Sequence, residues 1–325
     1  MSLVDQFQRK HSYLRISVVD MCNLRCVYCM PAQGLQWIAS EQLMQAHEIE
    51  RLAKIFLGLG IRHIRLTGGE PTVRKDIVDI VQKISNLDTS LDISMTTNGL
   101  FLEELAEDLY KNGLQRINIS LDSLDSQKFK EITRGGNLAK VLRGIEKATQ
   151  VGFAPIKLNV VLMQGKNTEE VEDFLHFASD QNLELRFIEY MPFGSRWHQS
   201  NAKEDVITLL EPRYTFVPME KENAHRGPAE MFFVPEKQLR VGFINAVSHR
   251  FCDTCNRLRL MADGSLRACL AKEKHPSLLE LLRTGHDDHT IATTIQQIVW
   301  NKVDGHQCTT EGGSAFEGVM TRIGG

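Results

Sequence analysis

Between residues 13 and 191 the chain alternates strand-like and helix-like segments at a steady spacing, and few folds accommodate that rhythm. The β-branched and apolar runs Leu14–Val19, His63–Thr67, Leu91–Thr96, Arg116–Leu121, Ile156–Met163 and Glu184–Met191 read as strands. Helical stretches over 41–57, 75–86, 101–112, 137–150 and 168–181 separate them. Gly58, Gly113 and Gly152 stand where a helix C-cap belongs, because glycine enters the left-handed conformation without steric penalty. Strands joined through helices run parallel, with right-handed crossovers. Six such units predict an α/β fold. Since a complete barrel takes eight, an incomplete, TIM-like (βα)6 arc is expected.

The rhythm stops after Met191. A polar stretch, PFGSRWHQSNAKED, leads to a helix near 204–211 and short strands around 214–218, 230–235 and 239–245. A hairpin, Leu258–Met261 with Leu266–Cys269, turns on Ala262-Asp263-Gly264, and helices follow near 277–283 and 287–301. The break divides the chain into residues 1–195, the barrel, and 196–325, an α+β extension expected to cover the barrel mouth. A length of 325 residues suits one large unit with a smaller one.

A net charge of −3 gives no broad positive field, so nucleic acid is not an expected partner. No apolar run approaches membrane-spanning length, and the sequence MSLVDQFQRKHSYLRIS lacks the apolar core of a signal peptide. A cytoplasmic protein is expected, with no membrane partner. Thiols stay reduced there, and cysteines at motif spacing read as metal ligands.

Six of the seven cysteines form two triads, Cys22-x3-Cys26-x2-Cys29 and Cys252-x2-Cys255-x13-Cys269. Three thiolates fall one short of the set that closes a structural zinc site or an iron–sulfur cluster. Two centres, each with one open coordination position, are the expectation. Zinc is the competing reading. His11 or His63 could complete the first site, and His249, His275 or Cys308 the second, although zinc knuckles usually carry Cys-x-x-Cys in each half.

Parallel barrels gather their chemistry at the carboxyl ends of the strands. There the first strand runs into the first triad and the second into Thr67-Gly68-Gly69-Glu70-Pro71. The third ends in Thr96-Thr97-Asn98-Gly99, the fourth in Ser120-Leu121-Asp122 and the sixth in Glu189-Tyr190-Met191, while the fifth carries Lys157 and Asn159. Arg257 and Arg259, two apart on a strand beside the second triad, share a face, and their donor forks suit phosphate.

The segment Cys22-Asn23-Leu24-Arg25-Cys26-Val27-Tyr28-Cys29, with an aromatic before its last cysteine, resembles the signature of the radical S-adenosylmethionine superfamily. Gly68-Gly69-Glu70-Pro71 resembles the superfamily's segment that meets the methionine amino group. Tyr13-Leu14-Arg15-Ile16-Ser17, the second triad with Asn256-Arg257-Leu258-Arg259, and the closing Gly324-Gly325 are similar to one family within it. That is the family of molybdenum cofactor biosynthesis protein A, the GTP 3′,8-cyclases, and the likeness runs from Leu14 to Gly325.

The resemblance implies two 4Fe–4S clusters. Cys22, Cys26 and Cys29 would hold the one that binds S-adenosylmethionine, with Tyr28 (through its backbone), Gly69, Ser120 and Met191 around the cosubstrate. Cys252, Cys255 and Cys269 would hold the other, whose open iron meets the guanine of GTP. Arg15, Arg65, Thr96, Lys157, Arg257, Leu258 and Arg259 would contact GTP, mainly at its triphosphate. No single side chain is marked as catalytic. The implied reaction is removal of the ribose 3′ hydrogen by a 5′-deoxyadenosyl radical, attack of the new carbon radical on guanine carbon 8, and uptake of an electron and a proton. Implied partners are an electron donor, a downstream cyclic pyranopterin monophosphate synthase and a second copy of the chain in a homodimer. The Gly-Gly tail would thread into the active site. Two departures stand out: His63 occupies a position that is often lysine in the family, and Cys308 matches no family ligand. One rival is a peptide-modifying maturase of the same superfamily, which usually carries more auxiliary cysteines. Another is a zinc-stabilised nucleic-acid-binding protein, which would be colourless where two iron–sulfur clusters are brown.

Overall fold

Every second residue of the barrel strands is apolar, and this alternation decides which side of the sheet meets the helices. The computed structural model describes residues 2–191, 202–220, 227–270, 276–305 and 320. Strands β1 (Tyr13–Ser17), β2 (His63–Thr67), β3 (Asp92–Thr97), β4 (Arg116–Ser120), β5 (Ile156–Val161) and β6 (Glu184–Ile188) pair side by side in sequence order, all parallel. Leu14, Ile16, Ile64, Leu66, Ile117, Ile119, Leu158 and Leu185 are fully buried in one core with Leu52, Phe56, Ile80, Leu109, Ile145 and Phe174 of the surrounding helices. Those helices are α1 (Ala46–Gly58), α2 (Ile77–Ser85), α3 (Leu102–Lys111), α4 (Ser126–Thr133), α5 (Leu138–Val151) and α6 (Val171–Asp180).

Helix α4 has no counterpart in the expected pattern. Its eight residues are too few for a clear helical period, and its start is set locally, by Asp125 accepting from the Lys128 amide at 2.8 Å. Gly152 caps α5 in the left-handed conformation (φ 104°), as expected. Gly58 does not cap α1. The helix runs through it, and Gly60 takes the positive φ of 101°.

The remaining elements are α7 (Ala202–Leu210), β7 (Val217–Pro218), β8 (Glu230–Val234), β9 (Leu239–Ile244), β10 (Arg257–Leu260), β11 (Leu266–Arg267), α8 (Leu278–Arg283) and α9 (Asp288–Trp300). Two of them extend the arc. Strand β9 pairs parallel with β6, and β10 pairs parallel with β1, giving eight parallel strands in a row. The open edges of the arc carry unpaired amides and carbonyls, and these two strands pair them. Hairpin partners β11 and β8–β7 follow outward as antiparallel edges.

The direction of β10 fixes where the extension acts. Because β10 runs with β1, Cys252 and Cys255 just ahead of it sit at the amino ends of the barrel strands. Cys269 follows β11, which returns antiparallel to the same end. The first triad lies beyond the carboxyl end of β1. The mouth the extension covers is therefore the lower one.

A two-stranded ladder, Leu3–Val4 with Lys10–His11, braces that end. Arg9 donates from Nε to Asp5 Oδ2 at 2.7 Å, and its guanidinium reaches the carbonyls of Cys252 (2.9 Å) and Val303 (2.7 Å). His11 Nε2 lies 3.0 Å from the same Asp5 oxygen. Burial, and then the nearby Lys302 charge, bring His11 down to about 4. A histidine that resists protonation only when folded makes the unfolded chain the stronger proton binder between its two values. Stability is expected to decline as pH falls from about 6.5 to about 4. His11→Gln should flatten that slope in urea midpoints measured across this range, and an equal slope in both proteins would refute the assignment.

His275, Cys308 and the Gly324-Gly325 tail lie outside the described residues.

Candidate active site between two cysteine triads

The opposite face of the same alternation points into the arc. Arg15, Arg65, Thr96, Asn118, Ser120, Asn159, Arg186, Arg257 and Arg259 line one cavity of about 340 Å³. The interior of an ordinary parallel barrel is packed with branched apolar side chains, so a polar lining marks a ligand chamber. All six triad cysteines line this same chamber, three at each end.

The upper end is shaped by backbone. Gly69 N donates to Val19 O at 2.7 Å and Glu70 N to Met21 O at 2.9 Å, pressing the loop after β2 onto the approach to Cys22. A Cβ at Gly68 would collide with the Val19 carbonyl, and one at Gly69 with the carbonyls of Asp20 and Met21. Glu70 is buried and accepts from the hydroxyls of Thr72 and Thr97, each at 2.6 Å, and from Asn98 N at 2.7 Å. Burial holds the Cys22 thiol up at about 11 and drives Cys26 well above the ordinary range. Paired thiolates are thus unfavourable here without a cation, which is what cluster iron supplies. The donor set fits a cluster with one iron left open.

At the lower end the balance is reversed. Burial pushes Cys255 up, but Arg257 and Lys302 outweigh it and bring the thiol to about 6. Lys302 is buried, with Nζ 3.5 Å from Cys255 Sγ and donating to Arg257 O at 2.9 Å.

Between the two ends lies a row of cations. Arg259, Arg15 and Arg65 are register partners across β10, β1 and β2. Burial, then the charges of Arg259 and Arg65, hold Arg15 well below its usual range. Burial, then Arg257, lowers Arg259 to about 10. Such a row repels itself and favours a multiply charged anion.

Of the expected site residues, Tyr28, Gly69, Ser120, Met191, Arg15, Arg65, Thr96, Arg257 and Arg259 come together in this chamber. Lys157 lines an adjoining cavity of about 480 Å³ that shares Arg186, Arg257 and Cys255 with the first. Its ammonium lies 3.3 Å from Glu184, which also binds Arg186 at 2.6 Å, and burial followed by the Arg186 charge lowers it to about 7. Leu258 faces the other way, fully buried in the helix-side core, so only its backbone can meet a ligand. His63 lines neither cavity; its Nδ1 pairs with Asp92 at 2.8 Å. Asn118, Arg186, Phe251 and Lys302 escaped the sequence reading. Two-residue spacing from Ser120 and Ile188 could have found Asn118 and Arg186, whereas the cluster-side position of Lys302 has no local signal.

Comparison with known proteins gives a consistent result. The Radical SAM superfamily model matches residues 16–178, and the Molybdenum Cofactor Synthesis C model matches residues 183–308. The GTP 3′,8-cyclase of Listeria monocytogenes serovar 1/2a is 44% identical over 310 residues, covering 94% of this chain and 92% of its own. That of Alkaliphilus oremlandii is 41% identical over 325 residues, covering 99% of each. Among solved structures, Streptococcus suis SuiB bound to S-adenosylmethionine aligns with a TM-score of 0.61 at 16% identity, over 90% of this chain and 69% of that one. That last likeness concerns the fold alone.

Proposed function

The chain belongs to the GTP 3′,8-cyclase family of the radical S-adenosylmethionine superfamily, and we propose that its two cysteine triads and the cations between them divide that reaction. It is an enzyme that converts GTP to (8S)-3′,8-cyclo-7,8-dihydroguanosine 5′-triphosphate, the first step of molybdenum cofactor biosynthesis, using 4Fe–4S clusters and S-adenosylmethionine. The observation that carries the division is one chamber with three cysteines at each end and a line of arginines along its wall.

Cys22, Cys26 and Cys29 would hold the upper cluster, and Cys252, Cys255 and Cys269 the lower one. A cluster held by Cys22, Cys26 and Cys29 would, when reduced and with S-adenosylmethionine bound, supply the radical chemistry that removes an unactivated hydrogen. The Tyr28 backbone, Gly69, Ser120 and Met191 seat the cosubstrate against the upper triad. Arg15, Arg65, Lys157, Arg257 and Arg259 bind the triphosphate, with Thr96 and the Leu258 backbone beside them. With the phosphates on the cationic row and the purine toward the lower triad, the ribose would lie toward the upper triad. With both ligands bound, the walls of the chamber would limit access of water and competing quenchers.

The same reading divides the chain into a barrel over 1–195 and a cluster-bearing region over 196–325. It includes an electron donor, a downstream cyclic pyranopterin monophosphate synthase, a homodimer and a cytoplasmic location. No helix among the described residues is long and apolar enough to cross a membrane.

The test is anaerobic incubation of the reconstituted protein with S-adenosylmethionine, dithionite and GTP deuterated at the ribose 3′ carbon. Deuterium should appear in the released 5′-deoxyadenosine, alongside a cyclised isomer of GTP separated by chromatography. Unlabelled 5′-deoxyadenosine with GTP unchanged would sink the reading.

A further inference from the structure

Asn118 lies in the middle of β4, lines the chamber and is only 1% exposed. Neither its Oδ1 nor its Nδ2 has a hydrogen-bond partner among the described residues. Two neighbours share the condition: the hydroxyl of Thr96, its register partner on β3, and Oδ1 of Asn159 on β5. A buried amide with both ends unmade is costly to fold, because each group gives up water and gains nothing. Three such side chains on adjacent strands, all lining one chamber, point to a ligand that both donates and accepts.

Position narrows the ligand. Ser120, two residues further along β4 and on the same face, belongs to the cosubstrate end of the chamber. Arg15, Arg65 and Arg259 supply charge for phosphates, and the lower triad receives the purine. What remains is the sugar, whose hydroxyls each donate and accept, as the asparagine amide does.

We propose that Asn118 binds the ribose hydroxyls of GTP and so fixes which ribose hydrogen faces the radical source, an inference that rests on the GTP reading above. Thr96 stands beside it on β3, and Asn159, level with Ser120 on β5, lies one step toward the carboxyl end, so the two limit rotation of the sugar. S-adenosylmethionine carries the same diol, and its position nearer Ser120 makes it the alternative occupant.

The experiment uses holoenzyme with both clusters and the variants Asn118→Leu and Asn118→Ser. Leucine keeps the volume and removes both polar ends, so the thermal midpoint should stay level or rise while function falls, a pairing that a structural role would not produce. Dissociation constants are measured anaerobically for GTP, 2′-deoxy-GTP and 3′-deoxy-GTP. The unsubstituted protein should prefer GTP over at least one deoxy analogue by about tenfold. In Asn118→Leu that preference should shrink to within about twofold, with more 5′-deoxyadenosine released per cyclised product. Retention of the full preference in the variant would overturn the proposal, as would a loss confined to S-adenosylmethionine binding. If Asn118→Leu lowers the midpoint, the same comparison is made in Asn118→Ser, with the same deciding outcomes. Failure of the unsubstituted protein to bind GTP would instead count against the reading of function.

Discussion

Cys269→Ala is expected to abolish GTP cyclisation while cleavage of S-adenosylmethionine continues. The two triads stand at opposite ends of one chamber, and Cys269 reaches the lower end only through the return of β11. On the proposed assignment, removing its sulfur would leave only Cys252 and Cys255 for the lower cluster, while the upper triad keeps its three cysteines. Cyclisation should fall by roughly 10²-fold or more, since losing even a supporting contact of a metal ligand costs 10- to 100-fold. The readouts are iron content, which should drop by about half, and the ratio of 5′-deoxyadenosine to cyclised nucleotide, which should climb steeply. Equal loss of both activities would show that the ends are not separable.

The second large effect concerns the arginine row. Arg15→Met is expected to weaken GTP binding by about 10- to 100-fold, the loss of one or two charge-assisted hydrogen bonds. In the ligand-free protein the sign should reverse. Arg15 is half-buried, with Arg259 and Arg65 in register on either side and their charges opposing its own. Removing one of three crowded cations relieves that repulsion, so the thermal midpoint should hold or rise by a few degrees. Added salt should depress GTP affinity less in the variant than in the parent. A variant that loses stability and keeps its GTP affinity would place Arg15 among structural residues.

The strand pattern was legible because burial on the helix side forces an apolar residue at every second position. His63–Thr67 appears in the fold with the bounds read from its alternation. The triads stood out because their spacing is one that composition does not produce. Leu258 shows the limit of carrying roles over by segment: its neighbours Arg257 and Arg259 face the chamber, and a strand turns the residue between them away. The end of the barrel holding the second triad was not legible. It depends on Arg257 pairing with Tyr13 in a parallel ladder, a contact between distant stretches with no local mark. The partnerless amide of Asn118 was hidden for a related reason, since only the assembled strands reveal which polar groups go unmet.

The pairing of β10 with β1 and β9 with β6 also bears on how the molecule is made. During synthesis the six-stranded arc leaves the ribosome with both flanks unpaired, and the strands that seal them follow only after residue 238. Until then the nascent sheet can recruit strands from other chains, and its lower cavity stands open to water and oxygen. Chain order thus makes the lower end of the chamber the last part of the barrel to close.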